Sequence, residues 1–226
     1  MKGLAIRLVL ASGVLVALSL GGRWALRQTD FFRVRRVELE GLRYLSPERL
    51  LAALDLGPRP NLFDPLGALE RRLESLPGVV TVRVERVLPG TLRIAVEERP
   101  AIAFLAGREG LVPVDSAGEE LPYDPVAAGL DLPVVESLDK GVLSVLALAR
   151  RADSAFYHEV QAAGRGRDGS VWLELPRKRV LLPGAPAIDV LRAVAVVNRE
   201  LEASGRPHRE LDARYAGWVI ARRDRT

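Results

Sequence analysis

The side chains able to do chemistry are few and scattered. His158 and His208 are the only histidines in 226 residues, and there is no cysteine. Asp115 and Ser116 are adjacent, and with His158 they supply the residue types of a hydrolytic triad, in which a base activates a serine hydroxyl. The spacing argues against that chemistry. There is no Gly-x-Ser-x-Gly elbow, and Asp115-Ser116-Ala117-Gly118 has the composition of a tight turn whose carboxylate caps backbone amides. Neither a Gly-x-Gly-x-x-Gly run after a strand nor a P-loop occurs, Gly164-x-Gly166 is a loop signal, and two isolated histidines do not make a metal site. The expectation is a non-enzymatic protein with no catalytic, cofactor or metal residues and no small-molecule substrate.

Charge, once located, narrows the classes further. Residues 1–29 contain Lys2, Arg7, Arg23 and Arg27 and no acid, so of the 33 basic residues 29 remain against 29 acidic ones in residues 30–226. A nucleic-acid binder draws much of its affinity from phosphate neutralisation and needs a basic excess on its folded part, so nucleic acid is not an expected partner. Arg165, Arg167, Arg177, Lys178 and Arg179 form a local basic patch on predicted turns. It reads either as solvated loops or as a contact for an acidic partner segment or lipid head groups.

The residues that stand out for recognition lie near the C-terminus. Tyr215 and Trp218 fall in or beside a last predicted strand that only Arg222 to Thr226 follow, so its outer edge is expected to be open. An open edge with aromatic side chains is a template for strand addition. The partner-binding candidates are therefore Arg214, Tyr215, Ala216, Gly217, Trp218, Val219 and Ile220, with proline at Val219 or Ala216 as the test of an outward N–H. Whether the Trp218 ring faces the core or the solvent stays open at this level, because tryptophan is usually well buried.

The elements that must position these residues follow from periodicity. Leu8 to Leu20 is uncharged, and counted from Leu4 to Trp24 the stretch reaches the roughly 20 residues a bilayer requires. A transmembrane anchor is the favoured expectation over a cleaved signal peptide or a buried helix. Val37 and Leu39 mark a first strand. Ser46-Pro47 caps a helix carrying Leu50, Leu51 and Leu54 on one face, and a second helix carries Leu66, Leu69, Leu73 and Leu76. Val80, Val82 and Val84, then Leu92, Ile94 and Val96, alternate around Pro89-Gly90 as a β-hairpin. Beyond Pro100 the expected elements are strands at Leu111–Val114, Phe156–Gln161, Ser170–Leu175, Arg179–Leu182, His208–Ala213 and Trp218–Ala221, with helices at Gly141–Ala152 and from Ile188 to Leu201.

The run Phe32-x-Val34-x-x-Val37-x-Leu39-x-Gly41, then Ser46-Pro47-Glu48, Asn61-Leu62-Phe63, Leu76-Pro77-x-Val79 and Arg86-x-x-Pro89-x-Thr91-Leu92-x-Ile94-x-Val96-x-Glu98-Arg99-x-Ala101, resembles the POTRA domain of the bacterial FtsQ/DivIB division family. Leu211-Asp212-Ala213-Arg214-Tyr215 is similar to that family's Asp-Leu-Arg-Tyr run before its last strand, with Ala213 where a larger apolar residue is usual and Gly90 where asparagine is frequent. The resemblance implies an α+β chain: a cytoplasmic tail and transmembrane helix over 1–29, a β-α-α-β-β POTRA domain over 30–99, and a β-rich domain with two helices over 100–226. It implies a divisome scaffold in the cytoplasmic membrane at the septum, N-terminus inside and the bulk outside. Bitopic partners of the FtsB and FtsL type would bind the C-terminal domain, and other division proteins would act near the POTRA domain. The alternative expectation is a POTRA-containing transport or outer-membrane assembly factor.

Overall fold

A computed structural model of the chain describes residues 29–108, 110–206 and 208–223, which fall into two compact units parting between Glu98 and Arg99. The anchor expected within residues 1–29 lies, but for Thr29, outside the described residues. Among those described, no helix is long and apolar enough to cross a membrane.

The first unit runs β1 (Arg36–Glu40), α1 (Pro47–Leu54), α2 (Leu66–Glu74), β2 (Val79–Val87) and β3 (Thr91–Glu98). β3 lies central, parallel to β1 and antiparallel to β2. Val82, Val84, Leu92, Ile94 and Val96 turn one sheet face inward, buried in company with Leu50, Leu54 and Leu73 of the helices. Two details depart from the simple periodicities. Register shifts between Val79 and Thr81, a bulge that buries Val79 and leaves Val80 exposed. Leu51 is exposed and Leu69 only half-buried, so each helix shows a narrower apolar stripe than its leucines suggest.

The family-like motif positions of this unit act on the backbone. Gly41 has φ +84°, and a Cβ there would stand 2.2 Å from the Val96 carbonyl oxygen. At Gly90 a Cβ would come within 2.7 Å of the Arg33 oxygen. Arg86, the last inward position of β2, is too polar for the core and donates instead to the carbonyls of Leu62 and Asp64 ahead of α2. Glu98, at the end of β3, accepts from the amides of Arg43 (3.0 Å), Tyr44 (3.0 Å) and Leu45 (2.8 Å). One carboxylate thus fixes the loop that leads into α1.

The second unit contains β4 (Ala103–Gly107), β5 (Gly110–Val114), β6 (Val134–Val135), α3 (Lys140–Ala152), α4 (Ser154–Glu159), β7 (Ala162–Arg165), β8 (Val171–Leu175), β9 (Lys178–Leu182), α5 (Ile188–Ala203), β10 (Glu210–Asp212) and β11 (Ile220–Arg222). Its sheet has the order β11-β10-β9-β8-β7-β6-β4-β5. Leu143 and Leu146 of α3 and Leu191 and Val194 of α5 share one buried core with Leu173, Val180 and Leu211 of the strands.

Here the expected two helices are three. Phe156–Gln161 was expected as a strand, but Ser154–Glu159 is helical, because the Asp153 carboxylate caps it by accepting from the Phe156 amide at 3.0 Å. Phe156 and Tyr157 are buried side by side, and the Tyr157 hydroxyl donates to the Ile102 carbonyl at 2.7 Å. The strand comes later, at Ala162–Arg165, where Gly164 makes room for the Trp172 ring; a Cβ there would stand 2.4 Å from it.

Candidate partner-binding edge

β10 sits between β9, to which it is parallel, and β11, to which it is antiparallel. The Arg179 amide donates to the Arg209 carbonyl and the Ala213 amide to the Leu181 carbonyl, each at 2.8 Å. The Arg209 carbonyl and the odd-numbered residues after it therefore turn toward β9, the Arg209 amide alone donating to the Arg222 carbonyl at 3.0 Å, and by strand alternation Glu210 and Asp212 turn their backbone groups toward β11, opposite Arg222 and Ile220. Ile220 and Arg222 are spent on that ladder. Ala221 between them directs its N–H and C=O outward, and among the described residues no strand pairs that edge.

β11 is only three residues long, shorter than the expected Trp218–Ala221 strand and shifted toward the C-terminus. The reason lies in the turn before it. The Trp218 amide donates to the Tyr215 carbonyl at 3.1 Å, and Gly217 holds φ +79°, the pattern of a type II turn with Ala216 and Gly217 at its centre. Tyr215 is 53% exposed, Trp218 73% and Ile220 41%, while Val219 packs against the core. The Trp218 ring thus faces solvent, and the chain directs three large apolar side chains to the surface beside an unpaired edge.

An ion network fastens this edge. The side chain of Asp212 is fully buried; Arg214 reaches its oxygens with Nε at 2.9 Å and Nη2 at 2.8 Å, and Arg222 with Nη2 at 3.0 Å. Arg214 Nη1 continues to Asp168 at 2.7 Å, and Arg222 Nη1 lies 3.3 Å from Glu210. The hydrogen bond from Arg214 holds the Asp212 carboxyl below the usual carboxylate range against the opposing effect of burial, and Asp212 in turn raises Arg214. Arg214, named among the partner-binding candidates, has its guanidinium committed to Asp212 and Asp168. Asp168 and Arg222 belong to the site without having been singled out from sequence, and Asp212, noted there only within the Leu211–Tyr215 run, is the buried carboxylate that holds it together.

The other chemical candidates are placed elsewhere. Both oxygens of Asp115 are taken, one by the amides of Ala117 (2.9 Å) and Glu119 (2.8 Å) and the other by Arg99 (3.1 Å). Those contacts hold its carboxyl low despite burial, so it is a turn cap rather than a base. The basic patch divides: Arg165 and Arg167 lie at the β7–β8 turn, Arg177, Lys178 and Arg179 at the β8–β9 turn, on opposite ends of β8. Arg165 is neutralised by Asp139, the N-cap of α3, through contacts of 2.6 Å.

Comparison with known proteins bears on both units. Residues 32–99 match the family model described as POTRA domain, FtsQ-type. The chain is 30% identical over 132 residues to the cell division protein FtsQ of Syntrophotalea carbinolica (58% of this chain, 46% of that protein). It is 32% identical over 133 residues to that of Anaeromyxobacter sp. strain K (56% and 45%) and 33% over 138 residues to that of Myxococcus fulvus (59% and 47%). The matched stretches span about half the length of the curated relatives.

Proposed function

We propose that this chain, a relative of the FtsQ division proteins that carries an FtsQ-type POTRA domain at residues 32–99, is a non-enzymatic cell-division protein that gathers other division proteins at the septum. In this reading residues 1–29 anchor it in the cytoplasmic membrane, residues 30–99 form a POTRA domain open to further division proteins, and residues 100–226 bind bitopic partners of the FtsB and FtsL type. The partner site is the outer edge of β11 with its flanking turn, working by strand addition: backbone bonds at Ala221 supply pairing, and Tyr215, Trp218 and Ile220 supply side-chain selectivity. Arg214 acts from behind, through Asp212, by holding the turn that presents Tyr215 and Trp218.

The single observation that supports this reading is the unpaired backbone of Ala221 beside three exposed apolar side chains. In a working interface, aromatic residues at such a position are the side chains whose truncation costs most. The test is affinity purification of the full chain from membranes, with identification of co-purified chains, for wild type, Ala221→Pro and Trp218→Ala. Loss of the same small bitopic proteins in both variants, with thermal melts unchanged, supports the reading. Retention of those proteins by folded variants moves the interface off β11.

A further inference from the structure

Beyond the C-terminal end of β11 the second unit carries a cleft of about 1280 Å³, walled by the β8–β9 turn, the end of α5, the start of β10 and Arg223. Its charge is lopsided. The three acids in its wall are already engaged: Glu174 by Arg179, Glu202 by Lys178, and Glu210 by Arg222. Arg177, Arg206 and Arg223 line the same space, and no described carboxylate pairs with them.

Two further features mark the cleft as built for a chain segment. Arg177 occupies the second position of the two-residue Pro176-Arg177 hairpin loop at φ +69°, where glycine or asparagine is the unstrained choice. An arginine kept in the left-handed region is an outlier that points toward a use for its side chain. In the same wall the His208 Nε2 atom is buried with no hydrogen-bond partner among the described residues, while its Nδ1 faces the Arg206 carbonyl at 3.2 Å. With Nδ1 as the donor, Nε2 is a buried acceptor without a donor, and the cleft wall has to shift before an incoming N–H reaches it.

We infer that this cleft receives an acidic stretch of an extended partner chain, with carboxylates meeting Arg177, Arg206 and Arg223. The inference extends the strand-addition reading and rests on it for the partner's identity, since a strand laid along β11 and continued past Arg222 arrives here. A concave wall containing three glutamates fits a peptide better than the plane of an anionic bilayer.

The test is direct binding of a fluorescent peptide of alternating glutamate and serine to the purified full chain, by anisotropy. Arg177→Gly and Arg206→Glu should each weaken it by about tenfold, and rising salt should weaken it steadily. Arg167→Glu, at the opposite end of β8, should leave it unchanged, as should Ala221→Pro, which separates failure of the cleft from failure of the edge. Arg177→Gly removes the charge at a position where glycine fits, so its loss of binding is not a loss of fold. Equal weakening by Arg167→Glu, binding undiminished in both cleft variants, or displacement of the peptide by equimolar dioctanoyl-phosphatidylglycerol but not by unlabelled peptide overturns the proposal.

Discussion

Arg214 lays Nε and Nη2 on the two oxygens of Asp212, at 2.9 and 2.8 Å, two residues back along its own chain. The pair closes the end of β10 and sets the direction in which the chain leaves for the Tyr215–Trp218 turn. Because the Asp212 side chain is fully buried while Arg214 and Arg222 are partly open to water, removing the carboxylate leaves two cations that water can reach only in part. Asp212→Asn should therefore cost about 2 kcal/mol, the scale of charge-assisted hydrogen bonds lost at a buried group, and should weaken partner capture. Denaturant unfolding of the variant checks this; an unchanged midpoint removes the network from the account.

The same contacts fix a pH dependence. Asp212, Asp139, Asp153 and Asp115 all have their carboxyls lowered, chiefly by hydrogen bonds with Arg214, Arg165, the Phe156 amide, and the Glu119 amide with Arg99 respectively, burial opposing in each case. A folded-state value below the unfolded value means that the stabilisation is complete above the unfolded pKa of about 4 and is lost as pH falls through the folded values. Stability should be flat from neutral pH down to about pH 5 and should fall steeply below about pH 4. Asp212→Asn should flatten that acid limb, which thermal melts across the range will read; an acid limb as steep as wild type's excludes Asp212 from it.

Two prolines five residues apart should behave in opposite ways. At Ala221 the N–H points off the sheet, so proline removes the donor offered to a partner while the bonds of Ile220 and Arg222 to β10 survive. At Ala216, the second residue of a type II turn, proline matches the backbone and restricts the unfolded chain, a gain of about 0.4–1 kcal/mol. Ala216→Pro should thus be stable and still bind, and Ala221→Pro stable and unable to bind. If Ala216→Pro also abolishes capture, the partner contacts the turn backbone rather than the strand edge.

How much of this was legible in the sequence depended on whether a residue's role was periodic. The alternation of Val82, Val84, Leu92, Ile94 and Val96 found the right sheet face, because burial imposes a period of two on a strand. Val80 broke it, since a bulge moves the backbone by one residue without altering composition. Phe156-Tyr157 read as strand because aromatic residues favour sheets, yet the capping carboxylate of Asp153 decided for a helix. The edge was foreseen from Tyr215 and Trp218, whereas the commitment of Arg214 to Asp212 and Asp168 was not: Asp168 is 46 residues away, and only the packing of the β7–β8 turn brings it near.

Glu98 offers a similar case in the first unit. Its carboxylate accepts from three consecutive amides, so Glu98→Gln replaces a charge able to serve all three with an amide group whose nitrogen can serve none. The loss should be about 2–3 kcal/mol, large against a stability of about 5–15. Hydrogen exchange should show Arg43, Tyr44 and Leu45 losing protection first. Protection unchanged at those three amides contradicts the geometry.

Arg177→Gly should run the other way. A non-glycine residue in the left-handed region costs about 1–2 kcal/mol, and glycine there forfeits roughly 0.5–1 through the greater freedom of the unfolded chain. The difference favours the variant by about 0.5–1 kcal/mol, visible as a higher midpoint in denaturant with an unchanged slope. Arg177 is exposed and makes no ion pair with a described carboxylate, so no lost contact offsets this gain. An arginine that costs the fold stability and gains it nothing in the unbound chain is what the proposed role of the cleft requires. A lower midpoint in Arg177→Gly means that the side chain is holding the β8–β9 turn, and the charge of the cleft then has a structural origin.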